Sequence, residues 1–167
     1  MVDTKLVDNL IKTLQYENRT YAVLLSIAEK KTEYLVENDT ALLSGITQEE
    51  NQLVEQTKQL SKVREQFIVK LCEAMGVTNK GSIEDIKVHL SKAQASTLGD
   101  IQKKLKETVM KLIVRNGINQ KLIENALKYI NFNLEIMTSP APEVPVYGKS
   151  GEEVSPNRKR SMLDIKF

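Results

Sequence analysis

No proline interrupts the first 139 residues, and four then fall between Pro140 and Pro156. A proline inside a helix removes a hydrogen bond and its ring strikes the preceding turn, at a cost of roughly 3 kcal/mol. Over the same stretch apolar residues return every three or four positions, with breaks only near 36–40, 76–81 and 96–99. The two features predict an all-α fold: a helical bundle over residues 1–137 and a flexible, proline-containing tail over 138–167, disordered in isolation. A bundle of rods with a loose end suits the holding of other chains and offers few places for chemistry.

Aromatic residues make up only 5% of the chain and tryptophan is absent, so the core falls to Leu, Ile and Val. The formal net charge is +2, with Lys and Glu interspersed, which is not the one-faced basic footprint of a nucleic-acid binder. Met1-Val2-Asp3-Thr4 lacks the basic-then-apolar layout of a secretion signal, and no apolar run nears membrane-spanning length. A cytoplasmic protein without stable membrane insertion is expected. The single cysteine, Cys72, sits in an apolar helical pattern and reads as a buried structural thiol.

The first helix is expected over 4–36. Val7, Leu10, Leu14, Glu17, Tyr21, Leu24, Ala28, Lys31 and Leu35 form a heptad seam along a rod of about 50 Å. A second seam follows at once: Leu43, Ile46, Glu50, Leu53, Thr57, Leu60, Arg64, Phe67 and Leu71. So short a link requires an antiparallel hairpin. Either Asp39 or Thr40 can cap the second helix, and Thr47-Gln48-Glu49-Glu50 also matches a capping box, so two starts remain open. Gly76 ends it. Ser82-Ile83-Glu84-Asp85 opens a short helix whose buried side is Ile83, Ile86 and Leu90, with Ala93 as a further candidate. A weaker break at 96–99 then precedes the long C-terminal helix, which completes a coiled-coil-like bundle.

The inventory for catalysis is thin. His89 is the only histidine, the glycines form no phosphate-cradling loop, and Glu49 and Glu50 diverge as helix neighbours. No enzyme, metal site or cofactor is expected. Two features of the rods stand out. Glu17 and Arg64 both occupy seam positions; with a turn near Asn38, Glu17 comes level with about residue 59, one helical turn from Arg64, where a pair could fix register. Lys31 and Glu50 are similarly placed nearer the turn. In the last helix Ile118, Leu122, Ala126 and Tyr129 lie on one line and Leu127, Ile130 and Leu134 on another. A helix apolar on two sides is either central in a bundle or half covered, and toward 129–137 a partner surface is the better reading.

The chain resembles the FlgN family of flagellar export chaperones. The resemblance lies in weak motifs in the right order: Leu14-x-x-Glu17-x-x-x-Tyr21-x-x-Leu24-Leu25, Lys30-Lys31-x-x-x-Leu35-Val36-x-x-Asp39, Leu43-x-x-Ile46-x-x-x-Glu50-x-x-Leu53 followed by Arg64, Asn119-x-x-Leu122-Ile123-x-x-Ala126-Leu127-x-Tyr129, and Tyr147-Gly148 in the tail. It implies a non-enzymatic chaperone that binds the C-terminal helices of hook-filament junction proteins. Such a chaperone prevents their premature assembly and delivers them to the cytoplasmic domain of the export gate. The client would use the last helix, with Asn119, Leu122, Ile123, Ala126, Tyr129, Ile130, Leu134 and Met137 as candidate contacts. Tyr147, in one of two apolar islands of the tail, is the candidate gate-docking residue. A structural coiled-coil protein that self-associates through its seams is the alternative.

Overall fold

The computed structural model describes residues 4–76 and 82–139, and the backbone of 146–147 and 153–154. Four helices follow in order: α1 (Thr4–Glu37), α2 (Thr40–Met75), α3 (Ile83–Val88) and α4 (Lys92–Thr138). Beyond them β1 (Val146–Tyr147) pairs antiparallel with β2 (Glu153–Val154), Val146 opposite Val154 and Tyr147 opposite Glu153. The chain divides within α4 into two units, Met1–Ile123 and Glu124–Phe167.

The α1–α2 hairpin turns on two residues. Asn38 takes a left-handed conformation (φ 57°), tolerated by Asn, and the Asp39 amide closes the turn by donating to the Tyr34 carbonyl at 3.0 Å. Asp39 then caps α2, its carboxylate accepting from the Leu42 amide at 3.0 Å. This resolves the two possible starts. Thr47 lies inside the helix, its hydroxyl bonded back to the Leu43 carbonyl at 2.7 Å, and caps nothing. Gly76 ends α2 at φ 71°, a conformation open to glycine without strain, its amide donating to the Cys72 and Glu73 carbonyls.

The seams read from sequence are the faces that meet. Val7, Leu10, Leu14, Glu17, Leu24 and Ala28 of α1 are buried, as are Ile46, Thr57 and Leu71 of α2, and the other seam positions are half-buried. The tightest packing lies at the hairpin's open end, where Val7, Leu10 and Leu14 meet Leu71, Cys72, Ile86 of α3 and Leu98 of α4. Cys72 is a core residue there. Ser82 caps α3 in a reciprocal box with Asp85, whose carboxylate accepts from the Ser82 amide at 2.8 Å; these bonds hold the Asp85 carboxyl below its ordinary pKa. His89 is exposed and closes α3, its amide donating to the Ile86 carbonyl at 3.0 Å.

One break falls elsewhere than the sequence suggested. α4 begins at Lys92, where the Ser91 hydroxyl accepts from the Gln94 amide, and runs unbroken through 96–99. Leu98 anchors that turn in the core, and the Thr97 hydroxyl folds back onto the Ala93 carbonyl at 3.0 Å. A side chain at Gly99 would meet only the end of Lys87 at ordinary contact distance, so nothing there requires a break.

Candidate functional site

The hairpin is tied by two ion pairs. Arg64 Nη1 donates to both carboxylate oxygens of Glu17, at 3.0 and 2.7 Å, while Nη2 donates to the Ser61 hydroxyl at 3.0 Å. Glu17 is 1% exposed. Lys31 meets Glu50 at 2.7 Å, fourteen residues nearer the turn on each helix, which is two heptads along the same seam. The signs cross over: the acid belongs to α1 in one pair and to α2 in the other. A two-heptad slip of α2 would set Glu17 against Glu50, so the pairs specify one register.

Burial pushes the Glu17 carboxyl above its ordinary 4.5; the charge and hydrogen bonds of Arg64 pull it down without cancelling that effect. As pH rises past 4.5 the unfolded chain therefore releases this proton before the folded chain does. Its contribution to stability is complete below 4.5 and is lost as pH rises through the folded value. Urea unfolding of the native chain and of Glu17→Gln across this range is expected to give a stability difference, native minus variant, that falls as pH rises. A difference that climbs with pH would mean that Arg64 outweighs burial.

α4 runs parallel to α1 in the first unit. The Thr108 hydroxyl donates to Asn18 Oδ1 at 3.1 Å; eleven residues further on, Asn119 Nδ2 donates to the carbonyl of Ala28, ten residues further along α1, at 2.8 Å. The inner stripe of α4 alternates steps of three and four: Leu98, Ile101, Leu105, Thr108, Leu112, Arg115, Asn119 and Leu122, all buried or half-buried. Asn119 is 3% exposed and its Oδ1 accepts from the Thr32 hydroxyl at 2.6 Å. Both ends of its amide are consumed inside the bundle. Asn119 therefore leaves the candidate contact surface and becomes a polar latch between α4 and α1, and Leu122 beside it is half-buried.

The other candidates on α4 are exposed. Ile123 ends the first unit at 37% exposed. In the second unit Leu127, Ile130, Leu134 and Met137 step by three and four, with Met137 70% exposed. Beside this line Ala126, Tyr129, Asn133 and Ile136 continue the inner stripe at its heptad period, with Tyr129 68% exposed. Leu127, Phe132 and Ile136 were not among the sequence candidates. The three–four spacing of Tyr129, Phe132 and Ile136 was the signal that marks the last two. The charged groups keep to one narrow strip, Glu124, Lys128 and Glu135, with Asn131 beside them, while Asn125 and the half-buried Asn133 lie among the apolar side chains. The helix thus leaves apolar side chains exposed on two of its sides. Tyr147 lies in β1, its backbone opposite Glu153; its side chain and the remaining tail positions fall outside the described residues. Among the described residues no helix is long and apolar enough to cross a membrane, and no group of three or more His, Cys, Asp or Glu is placed to hold a metal ion.

A family model described as the FlgN protein matches residues 1–155. No curated protein and no solved structure matches the chain.

Proposed function

The chain belongs to the FlgN family of flagellar export chaperones, and from that premise we propose that it binds the C-terminal helical segment of a hook-filament junction protein in the cytoplasm, prevents its premature assembly and delivers it to the export gate. The observation that carries this reading is the exposed apolar helix at 124–138. A client helix with apolar anchors at three- and four-residue spacing would cover it by side-chain interdigitation, as amphipathic helices do on apolar grooves. The tail, with Tyr147, is assigned to the gate.

Calorimetric titration of the full chain with the C-terminal segment of the host's junction protein is expected to give saturable one-to-one binding, and no binding would overturn the reading. Truncation after Ser139 is expected to leave that affinity unchanged while weakening attachment of the loaded chaperone to the purified cytoplasmic gate domain, with Tyr147→Ala reproducing much of the loss. Unchanged gate affinity in both variants would remove the role assigned to the tail.

A further inference from the structure

We propose that the distal half of α4 receives two helical segments of one client, one along each of its two apolar lines; this rests on the client-holding reading above. At about 100° per residue, the exposed apolar side chains from Phe132 round to Leu127 span an arc of about 220° on the helix. One packed helix occupies a stripe of roughly 100°. A single client helix on either line therefore leaves the other in water.

Both lines are made for helical partners. Leu127, Ile130, Leu134 and Met137 alternate steps of four and three. Ala126, Tyr129, Asn133 and Ile136 alternate steps of three and four on the other line. Successive side chains along such a line stand about 5 Å apart, matching the ridges of another helix. An extended strand presents same-face side chains nearly 7 Å apart and falls out of step within two or three residues. This disfavours the described tail segments β1 and β2, whose backbone is extended, as occupants. A client pair of amphipathic helices would instead close around α4 as a three-helix unit, with the strip of Glu124, Lys128 and Glu135 at its outer rim.

Leu127 and Ile136, nine positions apart, lie on opposite sides of the helix, and no single helix shields both. Leu127→Cys and Ile136→Cys, each in the full chain, are labelled with a thiol reagent alone and in complex with the full-length junction protein, and labelling is read at each site by peptide mass spectrometry. The buried Cys72 reports in the same spectrum that the fold is intact. Should either variant label rapidly at Cys72, Leu134→Cys and Tyr129→Cys take their place. Both sites are expected to label rapidly in the free chain and at least tenfold more slowly in the complex. Protection of one line only would mean a single helix and overturn the proposal. Slow labelling at 136 already in the free chain would give that line to the tail and overturn it as well. A complex that protects neither site would instead refute the placement of the client on α4.

Discussion

Ile130→Asp combined with Leu134→Asp is expected to reduce affinity for the client segment by at least about a hundredfold, roughly 3 kcal/mol, while leaving the melting temperature nearly unchanged. Both side chains are about half exposed in the free chain, so a carboxylate at either position stays hydrated and costs the helix only the modest lower propensity of Asp. In the complex the same carboxylates would lose their water against an apolar client face with no partner, a penalty of several kcal/mol per buried charge before relaxation. Calorimetry against the client segment, with circular dichroism melting in parallel, measures the two effects separately. Loss of binding together with loss of the fold would make these residues core and send the client elsewhere.

Arg64→Ala is expected to destabilise the bundle by about 3 kcal/mol, far more than a surface ion pair is worth. The cost arises on the other partner. Glu17 is 1% exposed, and without Arg64 its carboxylate loses its ion-pair partner and must be buried unpaired or take up a proton. Glu17→Ala leaves Arg64 better off, because its side chain is a quarter exposed and keeps Ser61, so a smaller loss of about 1–2 kcal/mol is expected. The double substitution should cost clearly less than the sum of the two, since the second change removes a charge already stranded. Urea unfolding of the three variants closes this cycle; strictly additive losses would show that the two side chains do not act on each other.

The hairpin was legible because its information is local and periodic. Leucines at three- and four-residue spacing fix which faces meet, and Asp39 fixes where the second helix starts. Register was legible only to within a helical turn. A turn at Asn38 sets Glu17 level with a residue near 59, yet it meets Arg64, because side chains lean toward the N-terminus of their own helix. On antiparallel rods Glu17 leans away from the turn and Arg64 toward it, which closes the gap. Asn119 was misplaced for a different reason. An amide on a helix is ordinarily a surface residue, and its burial here depends on Ala28 and Thr32, some ninety positions away on α1. The start of α4 was missed because Ser96, Thr97 and Gly99 are weak helix breakers, and the burial of Leu98 overrides them. On the distal half of α4 the apolar lines were plain in the sequence, but whether they were core or surface was not. That distinction depends on which other segments cover a helix, and spacing along one helix does not carry it.

The central claim, that the distal half of α4 is the surface a client covers, is tested most directly by amide hydrogen exchange of the full chain with and without the junction protein. In the free chain amides over 124–138 are expected to exchange faster than those over 98–122, where the inner stripe is packed, since protection follows local burial. Client binding is expected to slow exchange over 124–138 by at least tenfold and to leave the α1–α2 hairpin unchanged. A bound client that leaves 124–138 exchanging as before would contradict the account.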